Sequence, residues 1–176
     1  MTSPRIVRAG LERVDDLRPL WQSLHAHHAE VAPHLAALGG VRTPAESWGR
    51  RRALYEDWLS EPDAFALIAE ADSVPVGYAL VHMRGPEETW STPDRIAEIE
   101  TLTVLPAHRG RGVGGALVRA VYRELNRIGV GHLAVGVIAS NTAAVRFYER
   151  LGLLPFLVSF IGPVQPADLD GPPTLS

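Results

Sequence analysis

The chain has 176 residues, of which 46% are hydrophobic and 21% charged. At about 100 to 200 residues per domain this is one globular unit with enough apolar content to bury its own core, and the composition excludes wholesale disorder. A formal net charge of −3 and a pI near 6.1 leave no electrostatic footprint for nucleic acid or an anionic membrane. Cysteine is absent, which removes disulfides, thiolate metal sites and a cysteine acyl-enzyme, and suits a reducing cytosol. All 17 basic residues are Arg, so neither a phosphate-loop lysine nor a Schiff-base lysine is available. No apolar run reaches the ~18 residues that span a bilayer, and Met1-Thr2-Ser3-Pro4 carries no signal-peptide core. A cytoplasmic protein is expected.

Along the chain, Arg5–Ala9 reads as a first strand. A helix then opens at Val14, with Leu17, Leu20, Trp21, Leu24 and His28 at three- and four-residue steps. Pro33 and the Gly39-Gly40 pair break the segment after this helix. Pro44–Leu59 reads as a second helix, with Thr43 as N-cap, Pro44 at the first position and Glu46 closing a capping box. Two apolar, β-branched segments, 65–70 and 76–83, read as a hairpin joined through Ser73-Val74-Pro75. A polar loop holding Pro86, Trp90 and Pro93 leads to a fourth strand, Ile96–Val104. Strict alternation there puts Glu98, Glu100, Leu102 and Val104 on one face. Residues 112–128 form an amphipathic helix, followed by a strand over 132–138, a helix over 141–151 and a last strand over 153–161. The expectation is a mixed α/β domain over residues 1–161 with a proline-rich tail over 162–176.

The densest chemical signal joins the fourth strand to the helix behind it: Arg109-Gly110-Arg111-Gly112-Val113-Gly114-Gly115. Glycines allow a tight turn and close backbone approach, and a helix start presents free N–H groups and a positive dipole end to an anion. Two arginines add donors suited to phosphate. Gly110, Gly112 and Gly115 match the dinucleotide pattern G-x-G-x-x-G, but they come after the fourth strand instead of the first, and no acid lies about 20 residues downstream. The pattern therefore reads as a diphosphate cradle of another kind.

A strand, this glycine turn, a helix, a strand, and then Asn141-Thr142-Ala143-Ala144-Val145-Arg146-Phe147-Tyr148-Glu149-Arg150-Leu151-Gly152-Leu153 together resemble the GNAT superfamily of acetyl-CoA-dependent N-acetyltransferases. The family's Q/R-x-x-G-x-G/A falls on Arg109, Gly112 and Gly114. Its second marker, an Asn opening a helix that ends in Tyr-x-x-x-Gly-Phe, falls on Asn141, Tyr148 and Gly152, with Leu153 in place of Phe. The resemblance implies a mostly antiparallel sheet splayed between strands 4 and 5, helices on both faces, and acetyl-CoA as co-substrate in the splay. It implies that Leu102, Thr103 and Val104 pair with the pantetheine arm, that the backbone from Gly110 to Gly115 holds the pyrophosphate, and that Asn141 reaches the pantetheine or caps its helix. Tyr148 would protonate the leaving sulfur, and the Leu102 N–H would hold the oxyanion. Ala97-Glu98-Ile99 is similar to the Ala-Glu-Ile of histone-acetylating members, which leaves Glu98, Glu100 or no residue as the base.

Other clusters carry less. His25, His27 and His28, with Glu30 and His34, lack a His-Glu-x-x-His spacing and read as substrate-side residues before they read as a metal site. Arg50-Arg51-Arg52 lies among Glu46, Glu56 and Asp57 and reads as a solvated, ion-paired face. Trp90 reads as a lid over the acceptor or a homodimer contact. The expected activity is acetyl transfer to a primary amine by direct attack in a ternary complex, with the acidic strand favouring a cationic small molecule or a peptide amine. A non-catalytic acyl-CoA sensor of the same fold is the alternative.

Overall fold

The structure, a computed structural model, describes residues 4–164. Five strands form one mixed sheet in sequential order: β1 (Arg5–Ala9), β2 (Phe65–Ala71), β3 (Val74–Arg84), β4 (Ile96–Val104) and β5 (Leu133–Val135). The first four run antiparallel to their neighbours, and β5 runs parallel to β4. Among the described residues four α-helices accompany them: α1 (Arg18–Val31), α2 (Pro44–Leu59), α3 (Val113–Arg127) and α4 (Thr142–Arg150).

Period-two alternation in β2 sorts its side chains between two cores. Phe65, Leu67 and Ala69 face α3, where they meet Leu117, Val121 and Leu125. Ala66 and Ile68 face the opposite side and meet Leu20 and Trp21 of α1 and Trp48 and Tyr55 of α2. Burial of each such large side chain stabilises the fold by about 1.5–3 kcal/mol. The Tyr55 hydroxyl lies beneath α2, 2.8 Å from that of Tyr78 and 2.6 Å from Thr101 Oγ1, so three buried hydroxyls satisfy one another. Burial pushes the Tyr55 phenol up to about 12, against the opposing effect of its two hydrogen-bond partners.

The capping box forms as the sequence requires: Thr43 Oγ1 accepts from the Glu46 N–H, and Glu46 accepts from the Thr43 N–H at 3.0 Å. Elsewhere boundaries shift for local reasons. The first helix does not open at Val14; a 3-10 turn over Leu11–Leu17 precedes it, and α1 starts where Pro19, lacking an N–H, falls in its first turn. The hairpin turns at Asp72-Ser73, both left-handed (φ 51° and 65°), and Pro75 lies inside β3 beside a bulge at Ala69/Glu70.

Two expected strands are corrected. Only Leu133–Val135 of 132–138 is strand, because pairing to β4 stops at Ile99, where β4 bulges. Residues 153–161 form no strand: they make no ladder and stand in solvent, with Leu154 at 86% and Phe160 at 92% exposure. Of the expected tail, 162–164 are exposed coil and the remainder lies outside the described residues.

Candidate active site

β4 changes phase halfway along its length. Leu80 of β3 lies opposite Thr101 and Val81 opposite Ile99, which leaves Glu100 as one extra residue, a β-bulge. Ahead of the bulge, Ala97 and Ile99 face α3, whereas Glu98 lies across from His82, which stacks on Trp58 of α2. Beyond it, Leu102 and Val104 pack toward α3, and Thr101 points to Tyr55 on the other side. Leu102 and Val104 therefore do not share the face of Glu98 and Glu100, as strict alternation would have it.

The bulge also opens the sheet. β5 pairs with Ala97, Glu98 and Ile99 alone, so the stretch of β4 from Glu100 to Val104 has no neighbour on that edge among the described residues. The Leu105 N–H bonds the Val76 carbonyl of β3 at 2.9 Å. By the alternation of an antiparallel ladder, the N–H groups of Leu102 and Val104 then point away from β3 and into the gap, and that of Thr103 points toward β3.

The glycine turn stands at the end of this edge. Arg109 folds its side chain back, with Nε donating to the Val104 carbonyl at 2.9 Å, which ties the turn to the strand. Gly110 (φ 69°) and Gly112 (φ 81°) adopt left-handed backbone that a side chain would strain. Gly112 is the N-cap of α3 and offers no capping side chain, and no acidic residue occupies the first turn. The N–H groups of Val113, Gly114 and Gly115 thus meet neither an intrahelical carbonyl nor a side-chain cap. Arg111 is exposed beside them.

Helix α4 closes the far side. Asn141 caps it, its Oδ1 accepting from the Ala144 N–H at 3.1 Å. A Cβ built on Gly114 would lie 3.6 Å from the Phe147 ring, so α4 packs directly over the start of α3. Tyr148, next in sequence, is 9% exposed. Its hydroxyl has no hydrogen-bond partner among the described residues, and burial raises its pKa above the ordinary phenol range.

A splayed fourth strand, an uncapped glycine-led helix and a helix carrying Asn141 and Tyr148 are the elements of one architecture. The sequence of residues 21–153 matches the family model for the acetyltransferase (GNAT) family. The chain belongs to the GNAT acetyltransferase family. It is similar to the mycothiol acetyltransferase of Frankia casuarinae, 34% identical over 122 residues that cover 66% of this chain and 33% of that protein. It is also 33% identical over 82 residues to the streptothricin acetyltransferase of Streptomyces lavendulae, covering 47% of this chain and 40% of the other. The chain thus spans about a third of the length of the mycothiol acetyltransferases it matches. Among solved structures, the aminoglycoside N-acetyltransferase AAC(6')-Iy in complex with CoA superposes with a TM-score of 0.67 at 21% identity, covering 94% of this chain and 97% of that one. A tetramutant of the BH1408 protein of Bacillus halodurans reaches 0.71 at 18% identity, covering 91% and 99%. At such identities the likeness is one of fold.

On the α1/α2 side of this GNAT sheet, neither strand carboxylate stands alone. Glu100 is paired with Arg51, and its other oxygen lies 3.8 Å from His82 Nε2. Glu98 lies 3.2 Å from Arg84 Nε, and the same guanidinium pairs with Glu87. Arg51 lies over Trp21, 4.3 Å from the ring centroid, so it is an inward-facing residue and not part of a solvated basic face. Arg52 does match the expected pattern, pairing with Glu56 one turn on and with Asp15. The 51–55–58 spacing of α2 could have revealed Arg51, because it shares a helix face with Tyr55 and Trp58.

Beyond Trp21 lies an open cleft of about 340 Å³ walled by His25, His28, Leu35, Arg42, Ser47 and Ile138 among others. Trp21 joins the two regions: its Nε1 donates to Ser47 Oγ at 3.1 Å, and its ring meets His28 edge-on. Burial, reinforced by the neighbouring His27, Arg51 and His25, pushes the His28 imidazole down to about 4, so it is neutral at pH 7. Among the described residues no group of three or more His, Asp or Glu is arranged to hold a metal ion. Trp90 stands 61% exposed in its loop.

Proposed function

We propose that the chain transfers an acetyl group from acetyl-CoA to the primary amine of a small molecule by direct attack in a ternary complex. One juxtaposition carries this reading: the free β4 edge, with the N–H groups of Leu102 and Val104 turned outward, runs straight into the uncapped N-terminus of α3. An extended amide-bearing arm would add to the edge as a strand would, along Leu102, Thr103 and Val104, and its diphosphate would meet the N–H groups of residues 110–115 and the helix dipole. Arg111 supplies an exposed cation there, whereas Arg109 acts by fixing the turn.

The amine nitrogen attacks the thioester carbonyl, the C–S bond breaks, the amine gives up a proton, and the departing sulfur accepts a hydrogen bond. Leu102 N–H is the donor for the developing oxyanion. Tyr148 is the donor to sulfur, because its hydroxyl makes no hydrogen bond among the described residues. Glu98 and Glu100 take the amine proton through water, if any side chain does; each has an arginine to reorganise as it does so.

A cleft of about 340 Å³ supports a small acceptor, since small-molecule sites occupy about 300–1,000 Å³. The relatives' names, mycothiol, streptothricin and aminoglycoside acetyltransferase, point the same way. The cleft lining contains Arg42 and two histidines and no carboxylate, and Glu98 and Glu100 are already paired. This moves the reading from a cationic acceptor toward a neutral or anionic amine.

Calorimetric titration with acetyl-CoA, with NADH as control, tests the cradle. Binding near micromolar, about −8 kcal/mol, is expected for acetyl-CoA alone. Gly112→Glu places an anionic side chain where the diphosphate would lie and should abolish that binding; retained micromolar affinity would remove the turn from the site. Thiol release against a panel of amines then separates the enzyme from the sensor, which binds acetyl-CoA without turnover.

A further inference from the structure

Two consecutive residues of β4 turn their side chains to the same helix. Glu100 pairs with Arg51, and the Thr101 hydroxyl lies 2.6 Å from that of Tyr55; Arg51 and Tyr55 stand one turn apart on α2. Neighbours in a regular strand face opposite ways, so this sharing of a face is a direct product of the bulge at Glu100. The Tyr55 hydroxyl reaches further, lying 2.8 Å from that of Tyr78, which stands on β3 opposite Thr103. One hydroxyl from α2 thus joins β3 to β4 beyond the bulge, and Tyr55, Tyr78 and Thr101 are all buried.

A second register is open to this strand. Continued from Val81 and Ile99 without the extra residue, the ladder would set Glu100 opposite Leu80, Thr101 opposite Ala79 and Leu102 opposite Tyr78. Thr101 and Thr103 would then turn to α3, and Leu102 and Val104 to α1 and α2. The backbone would change phase as well. The N–H groups of Leu102 and Val104 would bond β3, and those of Thr101 and Thr103 would face the gap. Backbone pairing alone does not choose between the two, since both keep β3 and β4 laddered and the regular one avoids an unpaired residue. Side chains choose, and the Tyr55 hydroxyl is placed to do so. In the slipped register Thr101 lies on the other face of the sheet, which leaves a buried hydroxyl of the triad one partner short.

We propose that Tyr55 is a positioning residue for the co-substrate edge. Its hydroxyl locks the register of β4 beyond the bulge and so keeps the N–H groups of Leu102 and Val104 turned into the gap. It acts through the backbone of β4. The consequence for binding rests on the acetyl-CoA reading, whereas the lock itself is a property of the free chain.

Tyr55→Phe and Thr101→Val each remove one hydroxyl of the lock, Thr101→Ser keeps it, and Thr43→Ala loosens the same helix at its capping box, away from β4. Amide spectra of each full-length variant, assigned over residues 99–104, report the register through cross-strand contacts: Thr101 opposite Leu80 in the parent, Thr101 opposite Ala79 after a slip. Tyr55→Phe and Thr101→Val should each show a second set of signals carrying the slipped contacts. Both should bind acetyl-CoA about tenfold more weakly, the loss that follows when the competent register holds about a tenth of the molecules. Saturating acetyl-CoA should return both to the parent's single set, with parental turnover, because only that register offers the outward N–H groups of Leu102 and Val104. Thr101→Ser and Thr43→Ala should keep the parent's register and affinity. Two results in Tyr55→Phe and Thr101→Val would each overturn the lock: a lowered unfolding temperature with parental register and affinity, or a loss of affinity with the register unchanged. A parent that binds no acetyl-CoA would remove the co-substrate reading instead, and the spectra of the free chains would still decide the lock.

Discussion

Replacing Tyr148 with Phe removes one oxygen and little else. The ring stays in its buried place, 9% exposed, and the hydroxyl has no partner to lose among the described residues. Stability should therefore change by less than about 0.5 kcal/mol, since no donor or acceptor is left stranded. Turnover should respond differently. A positioned proton donor contributes about 10²–10⁴-fold, and the structure selects the lower end. Burial holds the phenol above its ordinary pKa, whereas a free thiol lies near 8.5, so full transfer of the proton to sulfur runs uphill. A hydrogen bond to the departing sulfur is what remains, and a loss of about 100-fold, or 2.7 kcal/mol of barrier, is expected. Because the raised pKa keeps the hydroxyl protonated across the neutral range, the loss should be uniform from about pH 6 to 9, leaving the shape of the profile intact. Thiol release at saturating amine gives kcat, and calorimetry gives the acetyl-CoA affinity. Turnover within twofold of the parent, with affinity unchanged, would refute the assignment and make Tyr148 a core residue.

Tyr55→Phe should cost about 1–3 kcal/mol, because Tyr78 and Thr101 keep buried hydroxyls with one partner fewer; urea unfolding measures it, and an unchanged midpoint would deny the network its stabilising role. His28 is held to about 4 in the folded chain against an ordinary 6.5, so on acidification the unfolded state takes up the proton first. Stability should fall as pH drops from about 6.5 to 4 and level off below, by roughly 1–2 kcal/mol once contact with solvent is allowed for. His28→Gln should flatten that slope, which denaturant midpoints at pH 7 and 4.5 would reveal. Thr43→Ala should cost about 1 kcal/mol by opening the capping box, read by the same unfolding assay with acetyl-CoA affinity left intact.

Much of the architecture is legible in residue order alone. The bounds of β1, β4 and α2 come from alternation, from Thr43-Pro44 and from the run of apolar residues, all of which act locally. The glycine turn is equally plain, since left-handed backbone at Gly110 and Gly112 is a property of those residues themselves. Features that residue order hides depend on distant partners. The bulge at Glu100 exists in the register between β3 and β4, and no residue type in 96–104 announces it. Arg51 reads as part of a basic run because Trp21 and Glu100, which hold it inward, lie 30 and 49 positions away. Residues 153–161 have the pattern of a strand, but pattern alone supplies no edge to pair with.

The extra residue at Glu100 divides the nine-residue β4 into two reading frames. Substitutions at 98 and 100 alter what faces α1 and α2 without rotating the outward N–H groups of Leu102 and Val104. Substitutions at 102 and 104 change the fit to α3 without touching the carboxylates. On the proposed function, selection on the acceptor and selection on acetyl-CoA can therefore act on one strand without interfering. Deleting Glu100 would restore strict alternation and leave Ile99, Leu102 and Val104 on α3 and Thr101 on Tyr55, so the register beyond the bulge would survive while the carboxylate paired with Arg51 would be lost. A residue added beyond the bulge, by contrast, would turn every side chain after it to the opposite face.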